Sequence, residues 1–390
     1  MSFIGRCEKK VKQLQVGGLI RSLHDLEFCD ACHAVDGTGH RLFIACSNDY
    51  LGLRFHADVI AAARDILEQI GVGSSGSRTV TGSNSICSAF EREIAAFKGA
   101  EAALLFSSGY MTNVGLLSTI VEKDDLILSD EKNHASIIDG CRLSGGKTLV
   151  YPHRDTCYVK KLLQTNRSTS ANCFIVTDGV FSMDGTIAPL PELLDMAERF
   201  DAQLIIDDAH GLGVLGAHGR GSLEHFGIPM SRHIITVGTC SKALGSLGGF
   251  VCGPKALISF LRSRCHQILC STMLPPSAVA AAKKSLDLLQ KFPEFVRKLK
   301  HLSAMAKGIF QRNSISVGED GVAIFPICIG DEKRATILAQ RLYAQGVYIP
   351  EIRYPSVPMG GARLRLTICA SYDELEFADI IGKIIVAMRE

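Results

Sequence analysis

The sequence predicts an α/β fold: a large domain built on a mainly parallel sheet with helices on both faces, followed by a smaller C-terminal α+β domain. Three observations carry this expectation. Between residues 102 and 253, short apolar runs recur with helical segments between several of them: AALLFS, DLILSD, KTLVYP, CFIVTDGVF, AQLIIDDA, HIITVGT and GGFVCG. These runs are continuous rather than alternating, as in strands covered on both faces. LPELLDMAERFD spaces its apolar residues as a helix does and carries proline at its start, where a missing N–H costs nothing. A chain of 390 residues can also supply cores for a main domain and a smaller one.

In chain order, residues 1–45 read as a helix, VKQLQVGGLIRSLHDL, and a hairpin-like passage broken at DGTGH. Residues 46–280 form the large domain. Within it, residues 102–121 are uncharged over a bilayer-like length, but serines, threonines, glycines and an asparagine interrupt them, so they read as buried strand, turn and helix. Residues 281–390 form the small domain. A long helical stretch that starts near residue 278 leads into it, followed by strands VAIFPICIG and ARLRLTICA with helices between and after them.

A net charge of +2 argues against the concentrated basic face that nucleic acid generally requires. The opening MSFIGRCEKKVKQLQ lacks the apolar centre of an export signal, so a cytoplasmic protein without membrane attachment is expected. Fourteen scattered cysteines then read as reduced thiols. CDACH, 29–33, has the letters of a covalent haem site, yet no second ligand pair suits zinc and nothing points to export; it reads as chance, and no metal is expected. GLGVLG, 211–216, matches a dinucleotide fingerprint but precedes AHGRGSLEHFG, which is poor in helix formers, and no acidic residue follows at the required distance. GCRLSGGKT misses the nucleotide P-loop spacing by one residue.

Three stretches point instead to one small ligand. Lys242, in VGTCSKALGSLGGFVCG, is the only charged residue from Ile234 through Pro254; burial would lower its pKa and turn it into a potential amine nucleophile, and the plain alternative is a lysine snorkelling at a strand end. Asp207 and Asp208 end an apolar run with His210 two residues on; a buried carboxylate there can pair with a protonated ring nitrogen, the plain alternative being a structural carboxylate that caps a turn. SSGYMTN, 107–113, follows one strand and opens a helix whose N–H groups suit a phosphate. Together they outline pyridoxal 5'-phosphate held as a Schiff base on Lys242. In ARLRLT, period-two alternation places Arg363 and Arg365 on one strand face, where the plain alternative is the solvated side of an edge strand.

SNDYLGL, GSSGSRTVTG, NHASIIDG, TDGVFSMDG, DDAHGLGVLG, TCSKALG and VPMGGARLRLT, in this order, resemble the α-oxoamine synthases of the pyridoxal-phosphate fold-type I transferases, from roughly Arg21 to Ala370. The resemblance implies that Lys242 carries the cofactor and serves as base, Asp207 holds the pyridine nitrogen and His134 stacks on the ring. It assigns Ser182 and His210 to the ring hydroxyl, Thr239 and the backbone of Gly109 and Tyr110 to the phosphate, and Arg21, His134, Ser356 and Arg365 to substrate. The biotin-pathway branch fits best, which implies decarboxylative joining of L-alanine to a pimeloyl thioester on coenzyme A or an acyl carrier protein. It also implies a homodimer, with GSSGSRTVTG and Ser271–Thr272 near a neighbour's phosphate pocket. A sister synthase using glycine or serine, and a catalytically silent binding protein of the same fold, are the alternatives. Ser356 stands where threonine is usual, and CDACH and Glu351 beside Arg353 are further departures.

Overall fold

The protein is described by a computed structural model covering residues 1–21, 23–320 and 322–389. All seven apolar runs become strands of one sheet, ordered Ala102–Phe106, Gly249–Gly253, Ile234–Thr239, Gln203–Asp207, Cys173–Asp178, Leu126–Asp130 and Lys147–Tyr151. Gly249–Gly253 runs antiparallel to both neighbours; the remaining pairs are parallel. Both faces are covered, as unbroken hydrophobicity requires. Ile205 belongs to a core on one side with Leu116 and Ile258, whereas Leu204 and Ile206 belong to one on the other with Leu163 and Leu193.

Register decides what this sheet presents. Asp178 pairs with Asp207, and Asp207 pairs with Val237, two residues before Thr239. Three parallel strands therefore end together with polar side chains, at the carboxyl edge where open α/β sheets form their sites.

Two helix readings need correction. The first helix is Phe3–Val16, not the stretch 11–26: Gly17 caps it, and Gly18 at φ +64° turns the chain away. Ser22, inside that stretch, lies outside the described residues. The long C-terminal stretch is two helices, Pro276–Lys291 and Glu294–Arg312, because Pro293 cannot supply an interior N–H.

The N-terminal strands Leu26–Phe28, His33–Asp36 and Arg41–Ile44 form a meander, and the last pairs in parallel with Val347–Tyr348. The beginning of the chain is thus tied to its end. CDACH has a structural role there: the Asp30 carboxylate accepts from the Cys32 and His33 N–H groups at 2.7 and 2.8 Å, and His33 Nε2 lies 2.9 Å from Glu376 on the last helix. In the C-terminal sheet, Ala362–Thr367 lies between Ile324–Gly330 and Glu351–Ile352, so Arg365 is on a central strand and the edge-strand alternative fails. Among the described residues no helix is long and apolar enough to cross a membrane; residues 102–121 divide into strand Ala102–Phe106 and helix Gly109–Ile120.

GLGVLG also finds its explanation. No helix opens at this run; turns follow the strand. Asp208 is buried against Lys98, Nζ to Oδ2 2.6 Å, and a Cβ on Gly211 or Gly221 would come within 2.0 or 1.8 Å of its carboxylate. The glycines make room for an ion pair, not a pyrophosphate. Both side chains are at most 2% exposed, so Lys98→Met leaves Asp208 buried and uncompensated, which costs about 3–5 kcal/mol. A urea titration should show the midpoint falling by the corresponding amount at unchanged slope.

Candidate active site

The sheet edge and two helix starts enclose a cavity of about 200 Å³, lined by Gly109, Tyr110, His134, Ser182, Asp207, His210, Thr239 and Lys242. Every residue assigned from the sequence to the cofactor thus faces one space. Each arrives there for a local reason.

Asp207 is the last residue of its strand. One carboxylate oxygen accepts from Ala209 N–H at 3.0 Å and the other from Asn113 Nδ2 at 2.6 Å. Asn113 gives its second hydrogen to Ser136 Oγ at 2.9 Å, which leaves that hydroxyl to donate to His134 Nδ1 at 2.7 Å. One amide therefore orients both the carboxylate and the imidazole. His134 also caps the helix Ala135–Ser144, and its N–H donates to Asp178 at 3.0 Å.

Lys242 follows the strand Ile234–Thr239 in a tight turn. Burial pulls its pKa below the ordinary lysine value, against the opposing pull of Asp207 and Asp178. Asp178 is pushed well above the ordinary carboxylate range, by burial and then by Asp207. His210 is driven well below the ordinary histidine value by burial and then by the positive charges of Lys242 and Arg365, so it is neutral. Its Nδ1 lies 2.7 Å from the Tyr50 hydroxyl, whose oxygen is also 3.3 Å from Asn48 Oδ1; with the hydroxyl donating to the nearer ring nitrogen, Nε2 carries the hydrogen.

The helix Gly109–Ile120 starts at the cavity wall, with Ser108 Oγ accepting from Met111 N–H at 3.2 Å. Its approach is close. A Cβ on Gly249 would lie 2.7 Å from both the nitrogen and Cα of Gly109, and 2.3 Å from Thr112 Oγ1. Gly249→Ala must therefore push this helix start outward. If this helix start takes the phosphate, as the sequence leads one to expect, the result is at least about a tenfold rise in the dissociation constant for pyridoxal phosphate, read by absorbance titration, because such binding depends on where those N–H groups point.

Arg365 stands beside the cavity. Its Nε donates to the carbonyl of Ser182 at 2.5 Å and its Nη1 to Asn48 at 3.0 Å, while Nη2 is buried without a partner. Arg363, on the same strand face, is committed to Asp184 at 2.5 Å. Arg21 and Ser356 lie elsewhere: Arg21 Nη2 donates to Ser356 Oγ at 3.1 Å, both are exposed, and neither lines this cavity. Glu351 pairs with Arg353 at 3.0 Å, away from Lys242.

Sequence reasoning passed over Asn113, Asp178, Ser136, Tyr50 and Asn48. Asn113 is four residues beyond Gly109, one helical turn on, so it shares the face of the helix start. Asp178 ends an apolar run as Asp207 does. Both signals were present in the sequence.

A helix start narrowed by glycine, a strand-end carboxylate, a neutral histidine presenting an N–H and an enclosed lysine fit a phosphorylated pyridine aldehyde. The model of the family "Aminotransferase class I and II" matches residues 43–384. A serine palmitoyltransferase variant from S. paucimobilis, solved with a bound PLP–myriocin adduct, superposes with a TM-score of 0.93 at 29% identity, over 100% of this chain and 99% of that one. The chain belongs to the class I and II aminotransferase family, in the fold-type I architecture, and is a pyridoxal-phosphate-dependent acyltransferase. Its sequence is 43% identical over 340 residues to 8-amino-7-oxononanoate synthase 1 of Bacillus subtilis (strain 168), covering 86% of each chain. The structure of 8-amino-7-oxononanoate synthase from Francisella tularensis is also similar, with a TM-score of 0.76 and 28% identity over 89% of this chain and 98% of that one.

Proposed function

We propose that this enzyme joins L-alanine to a pimeloyl thioester, releasing carbon dioxide and the free thiol and forming 8-amino-7-oxononanoate for biotin biosynthesis. The observation that carries the reading is an amine of lowered pKa at Lys242 in a cavity also lined by Ser182, whose carbonyl holds Arg365 with a buried, unpartnered guanidinium nitrogen. The first suits a base for an amino acid's α-proton, the second an anchor for its carboxylate. Alanine and the pimeloyl group are drawn from what the relatives are named for.

When bound, pyridoxal phosphate supplies an aldehyde that takes up amines and a cationic ring that draws off the electron pair left at the α-carbon. Asp207 would hold its ring nitrogen, His134 would lie against the ring, and Ser182 and the Nε2–H of His210 would meet its hydroxyl. Gly109, Tyr110 and Thr239 would take the phosphate. Lys242 Nζ would hold the aldehyde carbon in the resting enzyme and, once freed, take the α-proton. Arg365 would fix the amino acid so that this proton points at Nζ, with Arg21 and Ser356 facing the acyl substrate.

The enzyme acts in this reading as a cytoplasmic homodimer, its acyl group delivered by coenzyme A or an acyl carrier protein. GSSGSRTVTG and the segment of Ser271–Thr272 lie together: Met273 N–H donates to the Gly76 carbonyl at 3.1 Å and Ser74 Oγ to that of Leu274 at 2.5 Å. They form one surface for a second copy. A sister synthase that uses serine is favoured by the higher TM-score to serine palmitoyltransferase, but identity favours the first reading. Turnover of alanine, glycine and serine against pimeloyl, acetyl, succinyl and palmitoyl thioesters decides. Preference for alanine with pimeloyl supports the proposal; preference for serine or glycine with another acyl group refutes it.

A further inference from the structure

Next to the Lys242 cavity lies a second one of about 660 Å³, and Ser182 lines both. Its walls are largely apolar, with Ile138, Phe181, Val357 and Pro358 among them, and its charged lining is Glu131, Lys132, Asp184 and Arg363; Glu131 Oε1 accepts from the His153 N–H at 3.0 Å. Asp184 is contacted by both cations, Lys132 Nζ at 2.9 Å and Arg363 Nη1 at 2.5 Å. One carboxylate thus contacts both positive groups of this cavity.

The two cations differ in freedom. Arg363 has a side chain 12% exposed and also donates to the Met183 carbonyl at 3.3 Å, so it stays with Asp184. Lys132 is 44% exposed and its ammonium contacts Asp184 alone among the described residues. Exposed lysine–carboxylate pairs of this kind contribute little, so Lys132 can turn to another anion while Arg363 keeps Asp184 satisfied. Its backbone is held firmly: the neighbouring Asn133 donates to Ser129 Oγ at 2.9 Å and to the Val176 carbonyl at 2.8 Å. Asp184 is two residues from Ser182, within about 7 Å along the chain, a short acyl chain's reach from the first cavity.

We infer that this second cavity takes the acyl chain of the thioester and that Lys132 pairs with a carboxylate at the chain's far end, selecting dicarboxylate-derived acyl groups over fatty acyl groups of equal length. The inference rests on the functional reading above. The test compares pimeloyl with heptanoyl, seven carbons ending in a methyl, on the same carrier, with alanine and the holoenzyme. Wild type should favour pimeloyl both in kcat/KM and in affinity measured calorimetrically without alanine. In Lys132→Met the pimeloyl-to-heptanoyl ratio should fall about tenfold in both measurements, the loss of one charge-assisted contact, and Lys132→Arg should retain most of it. If wild type uses pimeloyl and Lys132→Met leaves the ratio intact, the inference is overturned and the functional reading stands. If wild type uses neither acyl group with alanine, both are overturned.

Discussion

Replacing Lys242 with alanine should lower kcat by at least about a thousandfold, since under the proposed scheme the variant loses both the group that holds the cofactor and the base, and base catalysis alone contributes about a hundred- to ten-thousandfold. Borohydride reduction of the wild-type holoenzyme should fix the cofactor to Lys242, and reduction of Lys242→Ala should fix none, as read by mass spectrometry of peptides. The fold should persist, with an unchanged near-ultraviolet spectrum, because Lys242 borders a cavity and replaces no packed apolar side chain. Its lowered pKa adds a sign to the test: the free amine is available at lower pH than for an ordinary lysine, so the acidic limb of the kcat profile should lie below the ordinary lysine value. A reduced adduct on any other lysine ends the assignment.

Arg365 carries the second large effect. Because Nε and Nη1 are already engaged by Ser182 and Asn48, the guanidinium is fixed with Nη2 left over, and a lysine cannot reproduce that three-nitrogen arrangement. Arg365→Lys should therefore reduce kcat/KM for alanine nearly as much as Arg365→Ala, by roughly ten- to over a hundredfold, the loss of a charge-assisted bond of about 1.5–3 kcal/mol. Pyridoxal phosphate affinity should change little. Arg363→Ala should affect acyl-group use instead, since Arg363 serves Asp184. Wild-type alanine kinetics in Arg365→Ala would remove this anchor from the scheme.

The sheet was legible because strands buried on both faces leave an unmistakable run of apolar residues, and each such run was found. Lys242 and Asp207 were legible because charge is costly in that setting, so a lone charged residue at a strand end needs a reason. Helix limits were less so. Gly17–Gly18 ended one helix inside an apparently periodic stretch, and Pro293 divided another. Asn113, Ser136 and Tyr50 were out of reach by a different route: amides and hydroxyls are common on surfaces, and their importance comes from partners such as Asp207, 94 residues from Asn113, and His210, 160 residues from Tyr50. The role of the glycines around Asp208 was hidden likewise, since Lys98 lies 110 residues away.

The ties between the two ends of the chain bear on when this enzyme can first work. Arg365 meets Asn48 across 317 residues, Thr367 Oγ1 donates to the Ser47 carbonyl across 320 and Tyr372 to that of Ile44 across 328. Contacts so far apart in sequence close late, after the local elements that must come together first. During synthesis the strands that present Asp207 and Lys242 leave the ribosome more than a hundred residues before Arg365 does. A nascent chain can thus bring together the lining of the Lys242 cavity while Arg365 and its Asn48 support are still apart, so under the proposed scheme a place for the cofactor exists before one for the amino acid's carboxylate.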